Sequence, residues 1–352
     1  MMRRALVAAG AAGIALLAAA CGSSGGGGTA SGGSSSSGPV TLRLGYLENI
    51  THATALVGIK QGFFTKNLGN GVTLKLTPFS TGTEEATALL AGQLDAAYVG
   101  PNPAIKAFQT SGGKLIKVIS GAASGGAALV VKSGITSASQ LKGQKLATPS
   151  LGNTQDVALR YWLKQNKLTA TQAGGGDVPI TPVTPNSSAV LEFGSGQIAG
   201  GWEPQPYAAE MVADGGHVLV DEASLWPGGK FVTTQLVVLS SYMKDHPDVV
   251  NGLLKAQIQA TDFLNNNKSE AEQAANAQLA TLTGKSLKPD ILAETFKAIT
   301  FTNDPIASSL LTDAQHATAV GLLEPISNLS TIYDLNPLNK LLSAAGEQTV
   351  NS

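Results

Sequence analysis

The sequence predicts an α/β protein made of two similar lobes, on the strength of two observations. Segments with strand and helix patterns alternate along most of the chain, and a short motif of the first half returns in the second half. Alternation of this kind is typical of parallel sheets built from right-handed crossover units. A motif that returns at a distance is typical of repeated structural units.

The alternation begins at residue 40. Apolar and polar residues alternate over residues 40–46, which predicts a strand, and residues 52–64 carry apolar residues at helical spacing. A strand at 72–76, a helix at 83–90 and a strand at 94–99 follow. The second half repeats this order with a strand at 145–148, a helix at 154–167 and strands at 198–202 and 218–220.

The motif that returns is GQLDAAY at 92–98 and GQIAGGW at 196–202. Each copy is followed by a proline-rich opening of a helix, GPNP at 100–103 and EPQP at 203–206. The match supports two lobes of similar design. Coincidence in a chain rich in glycine and alanine is the alternative, since short matches carry a risk of false positives.

Two apolar, β-branched segments, 127–131 and 231–239, belong to neither series, and we interpret them as two strands that cross between the lobes as a hinge. The chain after Pro247 reads as helical, because Pro247, Pro289 and Pro305 each suit the first turn of a helix. We expect these helices to pack on the first lobe. The predicted domains are therefore lobe 1, residues 40–128 and 235–352, and lobe 2, residues 129–234.

The first forty residues read as an export segment. Arg3 and Arg4 precede an uncharged, alanine-rich run at 5–20, which is too short for a spanning helix, and Cys21 is the single cysteine of the chain. We predict a lipoprotein signal peptide at 1–20, a lipid anchor on Cys21, and a flexible Gly/Ser tether over 21–39. The alternative is an ordinary cleaved signal in which Cys21 has no role.

Composition and motifs exclude several functions. The net charge is −1 and 13% of the residues are charged, which leaves no basic face for nucleic acid. With Cys21 assigned to the anchor, no disulfide or cysteine metal site is expected. The four histidines lack metal-ligand spacing, and no nucleophile elbow, phosphate loop or dinucleotide fingerprint is present. We therefore expect neither an enzyme nor a bound metal or cofactor.

A ligand crevice is expected where the carboxyl ends of parallel strands lead into helices. The sequence places five loops there: 46–53, 80–84, 100–103, 150–156 and 202–205. The loop at 150–156 enters a helix through Asn153 and Thr154, and helix starts bind small anions through their free amides and dipole. A plain helix cap that uses Asp156 is the alternative, and the carboxylate of Asp156 would oppose an anion unless it is turned aside.

Three residues in these loops each allow a functional and a structural interpretation. Trp202 is either a wall of the pocket or a core residue, since tryptophan is usually largely buried. The amide of Asn102 is held between two prolines and either faces a ligand or belongs to a turn. His52 is either a ligand-binding residue or an ordinary residue at a helix start.

Seven motifs together, in order and spacing, resemble a known family. They are Gly45-Tyr46, Gly62-Phe63-Phe64, ALLAGQLD at 88–95, GPNP at 100–103, Leu141-Lys142-Gly143, Gly152-Asn153-Thr154 and Trp202-Glu203-Pro204. Over residues 40–340 the chain is similar to the nitrate, sulfonate and taurine solute-binding proteins of ABC importers, and within them to the aliphatic-sulfonate branch. The resemblance implies a type II periplasmic-binding-protein fold, two α/β lobes that close on a solute and then dock on a permease.

The resemblance also implies a pocket and its ligand. By position the pocket maps to His52, Gly82, Thr83, Asn102, Gly152, Asn153, Thr154 and Trp202. The implied solute is a small organic anion such as an aliphatic sulfonate or taurine, captured by a monomer on the outer face of the membrane. The alternatives are nitrate, a neutral heterocycle such as a thiamine-precursor pyrimidine, a pyrimidine-forming enzyme of the same fold, and a lipid-anchored adhesin.

Overall fold

The computed structural model of the protein describes residues 40–352. The predicted signal peptide, the anchor at Cys21 and the tether to residue 39 lie outside the described residues. Within residues 40–352, no helix combines the length and apolar character that crossing a membrane requires.

Eleven strands in the described part form two mixed sheets. They are β1 (Val40–Leu47), β2 (Val72–Phe79), β3 (Ala96–Val99), β4 (Ile116–Gly125), β5 (Ala127–Lys132), β6 (Leu146–Thr148), β7 (Ile180–Pro182), β8 (Gly200–Pro204), β9 (Gly216–Asp221), β10 (Val232–Leu239) and β11 (Ile299–Phe301). The first sheet has the strand order β11-β4-β10-β3-β1-β2, and the second has the order β7-β6-β8-β5-β9.

Helices cover both sheets. They are α1 (Ala53–Lys60), α2 (Phe63–Leu68), α3 (Gly82–Leu90), α4 (Pro101–Thr110), α5 (Thr154–Gln165), α6 (Asn186–Gly194), α7 (Tyr207–Ala213), α8 (Ser240–Asp245), α9 (Pro247–Asn266), α10 (Lys268–Thr283), α11 (Pro289–Lys297), α12 (Ala307–Ala319) and α13 (Asn336–Ala345). The single helix predicted over 52–64 is interrupted at Gly62, whose φ of 70° ends the regular helix between α1 and α2.

The chain passes between the sheets twice. The first passage is Gly125–Gly126, with φ of 80° and 78°, and the second runs from Asp221 to Val232 through two short 3-10 helices. The segments predicted as hinge strands are therefore placed differently: 127–131 belongs to β5 between β8 and β9, and 231–239 to β10 between β3 and β4. Both strands are buried along nearly their whole length, because central strands are covered on both faces.

The passages lie a few residues before the predicted lobe boundaries at 128/129 and 234/235. The first sheet shares one large core with the helices after Pro247, as predicted, and Leu253 and Leu254 of α9 are fully buried in it. Helix α12 also reaches the second sheet's helix α5, where the rings of Tyr161 and His316 stack with centroids 3.6 Å apart.

Candidate functional site

The five loops predicted to line a crevice meet at one cavity of about 30 Å³ between the two sheets. Each loop contributes at least one lining residue, and the carboxyl ends of β1, β3, β6 and β8 open onto it. Its lining residues are Leu47, Asn49, Thr51, His52, Ser80, Thr81, Gly82, Gly100, Pro103, Pro149, Asn153, Thr154, Gln155, Asn186, Pro204 and Thr233. A water-sized group needs ~10–15 Å³ measured in this way, so the cavity holds about two such groups.

His52 enters the cavity as a neutral hydrogen-bond donor. Its side chain is 2% exposed, and its Nδ1 accepts the backbone N–H of Leu47 at 3.2 Å. Burial lowers the pKa of His52 to about 3, so the ring is uncharged at neutral pH. Because Nδ1 accepts, the proton of the neutral ring is on Nε2, which is the donor that a solute in the cavity can meet.

The starts of α3, α4 and α5 lie at the cavity. Thr81 caps α3, where its Oγ1 accepts the N–H of Glu84 at 3.3 Å, and Asn153 caps α5, where its Oδ1 accepts the N–H of Asp156 at 2.9 Å. Gly100 directly precedes α4. The partial positive charge of each helix start favours a negative group placed between them.

Gly100 permits the close packing of these helix starts. A Cβ atom on Gly100 would lie 2.6 Å from Oγ1 of Thr154, closer than real contacts allow. The absence of a side chain at this position therefore brings α4 of the first sheet against α5 of the second. The close contact between Gly100 and Thr154 holds the hydroxyl of Thr154 at the cavity.

The carboxylate of Asp156 does not face the cavity. It is fully buried, bonded to the guanidinium of Arg160 with Oδ2 and Nε 2.7 Å apart, and it accepts the backbone N–H of Gly152 at 2.7 Å. The conflict between Asp156 and an anion is thus removed by an internal ion pair. None of the residues that line the cavity is a lysine, arginine, aspartate or glutamate, so its polarity comes from hydroxyls, amides, a neutral imidazole and backbone.

The structure places the eight predicted pocket residues in three environments. His52, Gly82, Asn153 and Thr154 line the cavity. Thr83, Asn102 and Gly152 line a second cavity next to it. Trp202 lies in neither.

Trp202 is 0% exposed in the core of the second sheet. Its indole Nε1 donates to Oε2 of Glu222 at 2.6 Å, and its ring packs edge-on against Trp162. Trp202 is therefore a core residue and not a wall of the pocket, because β8 directs its ring into the interior of the second lobe.

Sequence reasoning missed seven polar residues that line the cavity. Five of them lie inside the predicted loops beside the residues that were selected: Asn49, Thr51, Ser80, Thr81 and Gln155. Thr233 was assigned to a hinge strand, and Asn186 follows β7, whose three residues end in a proline and gave no strand pattern. The Asn-x-Thr spacing of Asn49 and Thr51 could have indicated a pair of polar side chains in this loop. In the structure the hydroxyl of Thr51 donates to Oδ1 of Asn49 at 2.7 Å.

Hydrogen bonds across the cleft join the two sheets. The hydroxyl of Tyr207 donates to the carbonyl oxygen of Glu48 at 2.6 Å, and the hydroxyls of Thr83 and Ser150 lie 2.9 Å apart. The N–H of Ile50 donates to the carbonyl oxygen of Gln205 at 3.1 Å. The cleft is therefore closed over the cavity. Within residues 40–352, no cluster of histidine and carboxylate side chains has the arrangement of a metal site.

Comparison with known proteins agrees with this architecture. The NMT1-like family matches residues 35–280 of the chain. A protein of Brucella abortus named as a binding protein is 25% identical over 268 residues, which cover 72% of this chain and 79% of that protein. The taurine-binding periplasmic protein of Escherichia coli is 26% identical over 221 residues, which cover 61% of this chain and 65% of that protein.

A solved structure has the same fold. The alkanesulfonate-binding protein of Xanthomonas axonopodis, bound to MOPS, superimposes with a TM-score of 0.65 at 18% identity, covering 82% of this chain and 96% of that chain. The periplasmic-binding-protein fold is thereby confirmed. The resemblance to solute-binding proteins of ABC importers that the motifs predicted is confirmed as well.

Proposed function

The chain belongs to the NMT1-like family, and from this premise we propose that it captures a small organic anion, a sulfonate, for an ABC importer. The observation that carries the proposal is the meeting of three helix starts and the neutral His52 at one uncharged cavity of about 30 Å³. The cleft closes over the solute, and the closed protein delivers it to a permease in the membrane.

The donors of the cavity fit a sulfonate headgroup. A sulfonate has three acceptor oxygens and stays charged over the whole physiological range, so it needs several donors and no proton transfer. Helix starts and uncharged donors supply them, and a hydrogen bond to a charged group is about twice as strong as one between neutral groups. Because the cavity is small, the headgroup alone fills it.

Nitrate is the second candidate, since a planar oxyanion fits the same donors and the same volume. The neutral heterocycle loses its main support, because Trp202, the ring expected to stack on it, lies in the core.

Closure follows from the position of the cavity between the sheets. His52, Thr81 and Gly82 belong to the first sheet's loops, and Asn153 and Thr154 to those of the second. A solute bonded to both sets stabilises the closed state, as the Tyr207 and Thr83 bonds across the cleft also do. The same solute should stabilise the fold against heat.

Calorimetric titration with methanesulfonate, taurine and nitrate tests the proposal. We expect Thr154→Val to weaken sulfonate binding about 10- to 100-fold, because it removes a hydroxyl bond to a charged group without changing side-chain shape. Thr65→Val, at an exposed position of α2, is the matched control and should bind like the parent. Equal affinities of the two variants, or no binding of any of the three anions, would refute the assignment.

We further propose that Cys21 carries the lipid anchor and that residues 22–38 tether the binding domain outside the cell membrane, within reach of the permease. The support is the position of the single cysteine directly after the apolar run. Cell fractionation checks it: the parent should sediment with membranes and Cys21→Ser should be released. Equal distribution of the two proteins would contradict the anchor.

A further inference from the structure

A second cavity, of about 220 Å³, adjoins the first. Its wall is mainly apolar and includes Ala86, Leu90, Leu151, Val157, Leu322 and Leu323. The side chains come from both sheets' helices and from the segment after α12. We call this space the tail chamber. Its volume is about seven times that of the first cavity and approaches the ~300 Å³ at which pockets for small ligands begin.

The two cavities lie next to each other. Pro103 lines both of them. On one side Gly82 lines the first cavity and Thr83 the tail chamber, and on the other side Asn153 lines the first and Gly152 the tail chamber. At both helix starts, therefore, one residue lines the first cavity and its neighbour in the chain lines the tail chamber. The tail chamber lies directly beside the hydrogen-bond donors of the first cavity.

Asn102 supplies a second, independent sign of a ligand. It lines the tail chamber, is 4% exposed, and neither its Nδ2 nor its Oδ1 has a hydrogen-bond partner among the described residues. Buried amides are rarely left unpaired, because desolvation without a compensating bond is unfavourable. An amide held between two prolines and directed at an apolar space is instead suited to a polar atom of a bound molecule.

Charge restricts what that molecule can be. The residues around the tail chamber include Lys106 but no aspartate or glutamate. A cationic group inside would lose its hydration and find no carboxylate of the protein among the lining residues, which is unfavourable. A hydroxyl or ether group, in contrast, can bond the amide of Asn102.

We propose that the tail chamber holds the organic body of the solute, with the headgroup in the first cavity and an uncharged polar group bonded to Asn102. The preferred class is then alkanesulfonates with a neutral body, hydroxyl-substituted ones above all, and taurine with its ammonium group is disfavoured. This inference rests on the proposed function, since it assumes that an anionic headgroup fills the first cavity.

Two ligand series test the inference by calorimetry. In the first, methane-, ethane-, propane- and butanesulfonate should bind progressively tighter, about fourfold for each methylene buried (~0.8 kcal/mol). In the second, isethionate, which carries a hydroxyl where taurine carries an ammonium, should bind at least tenfold tighter than taurine.

Variants locate the effect. Ala317→Leu adds volume inside the tail chamber and should flatten the chain-length series while leaving methanesulfonate affinity unchanged. Ala319→Leu, two residues along the same helix at an exposed position, is the control. Asn102→Leu provides a readout that does not depend on filling the space: it should abolish the preference for isethionate over ethanesulfonate.

The outcomes separate the inference from the function on which it rests. If methanesulfonate binds but affinity ignores chain length, or taurine binds as well as isethionate, the tail chamber is not the tail site and the headgroup proposal stands. Failure of methanesulfonate and every longer sulfonate to bind would overturn both. An unchanged isethionate preference in Asn102→Leu would overturn the role of Asn102 alone.

Discussion

Strands β3 and β8 occupy the same place in the two lobes. Each follows a helix and a glycine with positive φ, pairs parallel with one neighbour (β1 or β6), and pairs antiparallel with the other (β10 or β5). The registers agree, since Ala96 and Ala97 pair with Leu44 and Gly45 as Gly200 and Gly201 pair with Leu146 and Ala147. The repeated motif therefore marks equivalent strands, and the alternative of coincidence is removed.

The aromatic residues that end the two motifs, Tyr98 and Trp202, have the same structural role. Tyr98 and Trp202 are both fully buried, and each uses its polar tip for one hydrogen bond inside its lobe. The partners differ. Tyr98 donates to the neutral amide of Gln257 on α9 at 2.7 Å, whereas Trp202 donates to the carboxyl of Glu222 in the passage between the sheets.

The largest expected effect concerns Trp202 and its equivalence with Tyr98. Trp202→Ala should lower the free energy of unfolding by about 3–5 kcal/mol, because it leaves a large cavity in a small core. Urea titration measures this. Trp202→Phe retains most of the packing and should leave solute affinity unchanged; reduced affinity in that variant would return Trp202 to the binding site and break the equivalence with Tyr98.

Much of the fold could be predicted because hydrophobic periodicity records burial. The alternation over 40–46 and the return of the motif at 196–202 located β1 and β8 and the two-lobed plan. The passages between the sheets could not be located in this way. Strands β5 and β10 are buried on both faces and show no alternation of apolar and polar residues, and periodicity alone does not distinguish a central strand from a connecting one.

The site was predictable at the level of loops and less so at the level of side chains. The rule that ligands bind beyond the carboxyl ends of strands selected five loops, all of which line the cavity, and missed the connection from β7 to Asn186. Which side chain of a loop faces inward depends on caps and pairings that join distant residues, such as the pair of Asp156 with Arg160. Thr233 was missed because its strand enters the site from the first sheet only after two passages of the chain.

The partner of Trp202 can ionise, whereas the amide partner of Tyr98 cannot. Burial raises the pKa of Glu222 to about 7, and Asp221 contributes to this increase; the pKa of Asp313 is raised by burial and by Glu222. Since the folded-state pKa of Glu222 exceeds its ordinary value of 4.5, its contribution to stability is fully present below pH 4.5. It is lost as pH rises through 7, by about 3 kcal/mol at most.

Chemical unfolding of the parent and Glu222→Gln between pH 4.5 and 8 measures this contribution as a difference. The buried His52 acts in the opposite direction, because its pKa is lowered to about 3 and its contribution is lost as pH falls below 6.5, but it is common to both proteins. The stability of the parent relative to Glu222→Gln should therefore fall as pH rises. Parallel curves would show that Glu222 does not titrate in this range.

The smallest expected effect tests the equivalence of the two turns before β3 and β8. Gly92 and Gly196 have φ of 65° and 77°, and a Cβ atom on either would meet no other atom within 4 Å. Alanine at either position should therefore lower the free energy of unfolding by about 1–2 kcal/mol through backbone strain alone, as measured by urea titration. Gly71→Ala, where space is open and φ is not positive, should be neutral or slightly stabilising. A clear inequality between Gly92→Ala and Gly196→Ala would mean that the turns differ in energy despite their shared geometry, and the two lobes would then be alike in pairing and register only.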